Sequence, residues 1–387
     1  MNDFDYLKQN ESYFDAACQS LRPRPVIDAM NNYYLKSNAC GGRVRYTWGK
    51  NTDALVESTR AKVLAFLKLK PRHYAVSFTL NTTYGLNLLL SQLRPQSFQK
   101  IFTSEIEHNS TFLSTLSLTR KWQVPRIIMQ RELDGSINLN AYDFTNAIVV
   151  VNCASNFDGK TLPNLNALIK KVHAQKGIIF IDAAQAMAHQ SELLHKTAAD
   201  AICFSAHKIY AASLGVIVFR RDLLKLMDIS FIGGGMVDDV EAEQYKLSAL
   251  RSDQIHSAFE PGLQAWAEII SLGAALDWLM HLPKTAKQQL QAHSERLYNF
   301  LSSHPRVHLL GAPTSTTFSI YLDDIDAHLL GDALAREGVM LRSGYFCAHY
   351  YLAHVKNYPP LLRFSLGYHT RSSDIDRVIA LLSKVLA

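Results

Sequence analysis

Apolar residues along this chain cluster in short runs rather than in one long block. Segments 74–79, 100–104, 147–152, 177–182, 201–205 and 216–219 are largely apolar on both sides of a strand's two-residue period. Stretches with helical spacing lie between them, such as 165–175 and the apolar run that starts at Leu86 after Asn81-Thr-Thr-Tyr-Gly. Strands with two apolar faces, alternating with helices, predict a mostly parallel sheet covered on both sides. Ligands of such sheets bind beyond the carboxyl ends of the strands. Asp182, Ser205 and segment 152–156 all fall at such ends.

The pattern changes after Gly262. A long apolar helix is expected over 264–280 and another over 284–303. An extended segment follows at 316–321, then a helix at 327–337, a strand at 339–342 and a closing helix at 373–386. The expected architecture is α/β: a large domain over 16–262 and a smaller α+β domain over 263–387, with residues 1–15 packing on the small one. At 387 residues the chain exceeds one ordinary core, in keeping with that division.

Composition narrows the functional classes. The chain is 48% hydrophobic and 19% charged, as a soluble globular protein is, and no apolar run is long enough to span a membrane. The start, Met1-Asn-Asp-Phe-Asp-Tyr, lacks the basic and apolar regions of a signal peptide, so the expected location is cytoplasmic. The net charge of +6 is spread along the chain without a basic block; no nucleic-acid partner is expected, and mild basicity suits an anionic cofactor. Cys18, Cys40, Cys153, Cys203 and Cys347 lie far apart, so neither a metal site nor a disulfide framework is expected.

Two strand ends carry candidate chemistry. One run ends in Asp182 and continues Ala-Ala-Gln185; another ends in Ser205 and continues Ala-His207-Lys208. A lysine amine can join an aldehyde cofactor, and a carboxylate can hold a pyridine nitrogen protonated, so that the ring stabilises a carbanion at a substrate's α-carbon. Asp182 also suits plain helix N-capping; beside Gln185 and Lys208, the cofactor role is the expected one. Asn81-Thr82-Thr83 precedes a helix, so hydroxyls and N–H groups there suit a phosphate, although N-capping by threonine explains the same residues. Ser205 and His207 are candidates for further phosphate contacts, with a hydrogen-bonded structural histidine as the alternative for His207. His108 is either a ring that stacks on the pyridine or a polar loop residue. Arg363 suits bidentate pairing with a substrate carboxylate, or is an ordinary exposed arginine. Cys347 lies in a glycine-containing loop with Arg342 and His349, neighbours that favour a thiolate; otherwise it is an inert, partly buried cysteine.

Taken in order, the motifs are specific. They read Tyr13-Phe-Asp15-Ala-Ala17, Asn81-Thr-Thr, Glu107-His108-Asn-Ser, Ser155-Asn156-x-x-Gly159, Asp182-Ala-Ala-Gln185 and Ser205-Ala-His207-Lys208. Gly233-Gly-Gly-Met236, Phe259-Glu-Pro-Gly262, Arg342-Ser-Gly344-x-x-Cys347-Ala348 and Arg363-x-Ser365 with Tyr368-His-Thr370 complete the series. Over nearly the whole chain this resembles the class V aminotransferase family, and within it the cysteine desulfurase and selenocysteine lyase group.

The resemblance implies a fold type I pyridoxal phosphate enzyme, usually a homodimer with active sites at the subunit interface. It implies that Lys208 carries the cofactor, Asp182 pairs its pyridinium, and Gln185 and Asn156 lie near its phenolic oxygen. His108 would stack on the ring, and Thr82, Thr83, Ser205 and His207 would hold the phosphate. Arg363, with Arg342 beside it, would bind the carboxylate of an amino-acid substrate, and Cys347 would attack substrate sulfur and become a persulfide, to be passed to a sulfur-acceptor protein. The expected reaction is removal of sulfur from cysteine to leave alanine. Another activity of the family, a C–S β-lyase, epimerase or aminotransferase acting on a biosynthetic amino acid, would need Lys208 and Asp182 but not Cys347. A non-catalytic scaffold would not need to retain Lys208, Asp182 and His108.

Several segments depart from the family pattern. Leu263 stands where a hydroxyl residue usually reaches the neighbouring subunit's phosphate. Segment 211–215 and the segment after Arg363 each look one residue short, and Tyr345-Phe346 replaces a His-His pair. Cys40-Gly-Gly-Arg43-Val-Arg45 replaces a His-Arg-Gly. These changes cluster around the phosphate, the entrance and the cysteine loop.

Overall fold

The computed structural model describes residues 3–42 and 44–386. Met1 and Asn2 at the start of the expected N-terminal segment, Arg43 of the 40–45 departure, and Ala387 lie outside those residues.

Seven strands form the main sheet: β1 (Tyr74–Thr79), β2 (Lys100–Ser104), β3 (Arg126–Met129), β4 (Ala147–Asn152), β5 (Ile178–Asp182), β6 (Ala201–Ser205) and β7 (Gly215–Arg220). Their order across the sheet is β1-β7-β6-β5-β4-β2-β3, and only β7 runs against its neighbours. The reversed strand needs no crossover helix, which is why β6 and β7 are joined by the short segment that carries Lys208. β3 escapes the hydrophobic pattern because Arg126, Ile127 and Ile128 on this edge strand are only partly buried.

The alternation within each strand sends side chains into two separate cores. Ala147, Val149 and Val151 face one, with Val76, Phe78, Ile202 and Phe204; Ile148 and Val150 face the other, with Ile217 and Phe219. Each valine, isoleucine or phenylalanine among these contributes about 1.5–3 kcal/mol on burial. Helices α1 (Arg24–Lys36), α2 (Thr47–Phe66), α3 (Thr82–Ser91), α4 (Asn109–Trp122), α5 (Leu165–Ala174) and the short α6 (Ala186–His189) precede or follow these strands. α2 and α5 feed the first core, α3 and α4 the second.

A second sheet of four antiparallel strands, β8 (His308–Leu310), β9 (Thr317–Tyr321), β10 (Arg342–Gly344) and β11 (Leu361–Ser365), has the order β8-β9-β11-β10. Its own core joins α8 (Lys284–Ser302), α9 (Ala327–Arg336) and α10 (Ser372–Leu386), and takes in Phe14 from the N-terminal segment. The strand expected over 339–342 is split. Val339–Met340 pairs in parallel with Ser12–Tyr13, and only Arg342–Gly344 joins the four-stranded sheet.

Helix α7 (Trp266–Met280) packs on α1 and α2, and its Ile269, Leu272 and Leu276 enter the first core of the large sheet. We propose from this that the boundary between the two domains falls at Pro283, which caps α8, rather than at Gly262.

Candidate active site

A cavity of about 260 Å³ opens beyond the carboxyl ends of the large sheet's strands and is closed on its far side by residues of the second sheet. Asn152, Asp182 and Ser205 are the last residues of β4, β5 and β6, so adjacent strands deliver adjacent side chains to it. Lys208, Asp182, His108, Thr82, Thr83, Asn156, Gln185, Ser205, His207, Arg342, Arg363 and Cys347 all line this one space. The chain thus gathers every candidate of the sequence in one place.

Lys208 ends a single tight turn, Ala206–Lys208, and its backbone carbonyl accepts the Ser20 hydroxyl at 2.7 Å. Desolvation holds its amine below the usual lysine range, and Asp182 opposes that shift. A lysine biased toward the neutral form is the reactive form for attack on an aldehyde. Asp182 is buried, and desolvation raises its carboxyl above the ordinary value against the pull of the Ala184 N–H, Lys208 and Thr111. Its Oδ1 accepts the Ala184 N–H at 3.0 Å and its Oδ2 accepts the Thr111 hydroxyl at 3.2 Å. Asp182 does not cap the next helix; Gln185 occupies that position, and its side chain donates instead to the Ala17 carbonyl at 2.8 Å.

His108 is the N-cap of α4, not a loose loop residue. Its Nδ1 accepts the Ser110 N–H at 3.0 Å, which places the ring proton on Nε2. Burial, then Lys208 and Arg363, lower its pKa to about 3, so the ring is neutral at working pH. A neutral ring can lie against a cationic pyridine without repulsion.

At the start of α3 the cap is Asn81, whose Oδ1 accepts the Tyr84 N–H at 2.9 Å. Thr82 and Thr83 are therefore not needed as caps. The Thr82 hydroxyl meets the Ser205 hydroxyl at 2.7 Å, and the Thr83 hydroxyl meets that of Ser110 at 2.7 Å. Gly215 passes beneath: a Cβ there would sit 2.3 Å from Thr79 Oγ1 and 2.5 Å from the Asn81 N atom. Only glycine lets β7 come that close to the helix start. His207 beside it has a buried Nδ1 with no hydrogen-bond partner, and burial lowers its pKa to about 4.

Arg363, on β11, is 2% exposed. Its Nη1 donates to the Asn156 carbonyl at 2.9 Å and its Nη2 to Asp15 Oδ1 at 2.7 Å, while the Phe346 ring stacks 4.7 Å from the guanidinium carbon. Arg363 Nε and Asn156 Oδ1 are buried without partners. Asn156 is itself fixed by its Nδ2, which donates to the Phe346 carbonyl at 2.6 Å. Cys347 is exposed, and both it and Phe346 adopt left-handed backbone, with φ of 58° and 47°. Such conformations are uncommon outside glycine; here they turn the Cys347 loop toward the cavity, and the Cys347 carbonyl accepts the Asn109 N–H at 2.7 Å.

Three residues of the site carried no role in the sequence. Thr111 lies just past the quoted Glu107-to-Ser110 motif, one turn into α4. Asp15 was part of a motif but had no visible partner until β11 came beside it. Cys18 lines the same cavity as Lys208 and Cys347. By contrast, Leu263 is 80% exposed and does not line this chain's cavity.

The site accommodates pyridoxal phosphate by its donor set. A buried acid and a lysine that influence each other line the same cavity, and they suit the ring nitrogen and the aldehyde carbon. An unpaired histidine nitrogen and a group of hydroxyls at a helix start suit the phosphate. An unpaired guanidinium N–H suits a substrate carboxylate.

A family profile described as aminotransferase class-V matches residues 12–378. A probable cysteine desulfurase of Chlamydia muridarum (strain MoPn / Nigg) is 30% identical over 392 residues, covering 97% of this chain and 94% of that protein. The fold is similar to that of the apo cysteine desulfurase from Thermococcus onnurineus NA1, with TM-score 0.89 and 24% identity over 100% of this chain and 98% of that one. It is also similar to the cysteine desulfurase CsdA of Escherichia coli, with TM-score 0.87 and 22% identity over 99% and 96% of the two chains.

Proposed function

Because this chain belongs to the class V aminotransferase family, we propose that it is a pyridoxal phosphate-dependent cysteine desulfurase. The observation that carries this reading is the convergence of Lys208, Asp182 and Cys347 on one cavity. Pyridoxal phosphate held there supplies an electron sink for the pair released at the substrate's α-carbon.

The residues divide the work. Lys208 would hold the cofactor through its amine, and the same amine would take the proton from the substrate's α-carbon and later return it. Asp182 would keep the pyridine nitrogen protonated, Gln185 and Asn156 would serve the phenolic oxygen, and neutral His108 would cover the ring. Thr82, Thr83, Ser205 and His207 hold the phosphate. Arg363, supported by Arg342, orients the substrate through its carboxylate. Cys347 Sγ, as thiolate, attacks the substrate sulfur. A sulfur–sulfur bond forms, the substrate's carbon–sulfur bond breaks, and its electron pair stays on the β-carbon, which is protonated to give alanine. Sulfur remains on Cys347 as a persulfide, ready for an acceptor protein with a nucleophilic thiol.

The assembly proposed is a cytoplasmic homodimer. Leu80, Leu250 and Leu263 are 67%, 77% and 80% exposed, which suits burial against a second copy. Among the described residues no helix is long and apolar enough to cross a membrane.

The test is to load the protein with pyridoxal phosphate, add L-cysteine, and measure alanine and protein-bound sulfur. Alanine in step with persulfide on Cys347 is expected. Alanine formation that survives Cys347→Ala would remove Cys347 from the reaction. Pyruvate with ammonia would make the protein a β-lyase.

A further inference from the structure

Asp15 presents a carboxylate to the arginine that has been assigned to the substrate's own carboxylate. Its Oδ1 is 2.7 Å from Arg363 Nη2, and its Oδ2 is 3.4 Å from Arg342 Nε. The position is fixed by backbone on both sides. Asp15 bridges Ser365 in parallel pairing, the Ser365 N–H donates to the Phe14 carbonyl at 2.8 Å, and the Ser365 hydroxyl accepts the Ala17 N–H at 2.9 Å. The Cys18 and Gln19 N–H groups close a turn on the Asp15 carbonyl at 3.0 and 3.1 Å. The N-terminal strand therefore delivers this carboxylate to the site as firmly as β11 delivers Arg363.

Two arginines and one acid leave a single positive charge at this end of the cavity. Arg363 keeps an unpaired, buried Nε–H, so it can take one further carboxylate while Asp15 remains in place. Among the described residues, a second negative charge on the ligand would meet no free arginine at this end. Without Asp15, both arginines would be available, and a dianion would gain more than a monoanion, because the Coulomb energy scales with ligand charge.

We propose that Asp15 is a specificity-determining residue that tunes the cavity for amino acids with one carboxylate and against those with two. The inference rests on the carboxylate role proposed for Arg363. It assigns to the N-terminal segment a part in choosing the substrate, not only in joining the two sheets.

The experiment compares L-alanine with L-aspartate as ligands of the cofactor-loaded protein, followed by the change in cofactor absorbance and by calorimetric titration. Neither readout depends on turnover. Asp15→Asn is expected to raise the affinity for aspartate relative to alanine about tenfold or more. Arg342→Gln, whose partly exposed side chain can be cut without opening the core, keeps Asp15 and cancels the remaining charge; it is expected to weaken both ligands, aspartate more than alanine. An unchanged aspartate-to-alanine ratio in Asp15→Asn overturns the proposal, as does unaltered alanine binding in Arg342→Gln. Should Asp15→Asn fail to fold, the Arg342→Gln arm decides alone. Wild-type protein that binds neither amino acid would instead count against Arg363 as the carboxylate site, which separates failure of the proposed function from failure of this inference.

Discussion

The Thr111 hydroxyl donates to the carboxylate of Asp182 at 3.2 Å, linking the first turn of α4 to the end of β5. Burial drives the Asp182 carboxyl upward, and Thr111 is one of the few contacts that oppose it. A hydrogen bond to a charged group is worth about 1.5–3 kcal/mol, or roughly ten- to a hundredfold. Thr111→Val is therefore expected to slow alanine formation about tenfold and to move its acid limb to higher pH. Asp182→Asn, which removes the charge itself, is expected to lose more than Thr111→Val while still binding the cofactor. Rates that match wild type in both variants would separate Asp182 from the ring nitrogen.

Lys208→Ala should abolish the absorbance band of the covalently held cofactor. The phosphate contacts remain, so pyridoxal phosphate is expected to bind still, reversibly and more weakly. Equilibrium dialysis measures the remaining affinity. A full band in Lys208→Ala would show that another lysine carries the link.

Buried histidines predict acid lability. His108 and His189 are held near pKa 3, and His207 and His369 near 4, in each case first by desolvation. An unfolded histidine binds its proton near 6.5. Below that pH the unfolded chain gains protons that the folded chain refuses, so stability falls as pH drops from about 6.5 toward 4. The unfolding midpoint of the cofactor-free protein should decline across that window and level off above pH 7. His189→Gln should flatten the decline without changing the plateau much. A midpoint that is constant from pH 7 to 4.5 would contradict the burial of these rings.

Much of this was legible in the chain. The two-faced strands 147–152, 178–182 and 201–205 stand out because a buried parallel strand has no polar side to hide its period. Asp182, Ser205 and Lys208 follow directly, since they sit within three residues of those strand ends. Contacts that depend on tertiary pairing did not show. Asp15 meets Arg363 only because the N-terminal segment lies beside β11, and Ser12–Tyr13 finds Val339–Met340 across most of the chain. The sequence also suggested N-capping by threonine at the start of α3; the structure assigns the cap to Asn81 and frees both threonines. The amphipathic α2 was missed because its buried face includes Thr52, Thr59 and Arg60, polar residues that blur the helical period.

Arg60 leads to the last prediction. It and Glu260 are 8% and 7% exposed and pair through both guanidinium nitrogens, at 2.7 and 2.8 Å. Glu260 Oε1 also accepts the Phe78 N–H at 2.7 Å, so one carboxylate ties α2 to β1 next to the start of α3. Removing one partner of a buried pair costs up to about 3–5 kcal/mol, lessened here because Arg60 Nε keeps its bond to Glu57 Oε1 at 2.9 Å. Glu260→Ala should therefore lower the denaturant midpoint substantially. Glu260→Gln, which keeps an acceptor for Phe78 but loses the charge, should fall between. The motif Phe259-Glu-Pro-Gly262 would then owe its glutamate to joining α2 to β1 rather than to chemistry. Full stability in Glu260→Ala, measured by urea unfolding without cofactor, would break that assignment, and a catalytic defect without a stability defect would return Glu260 to the reaction.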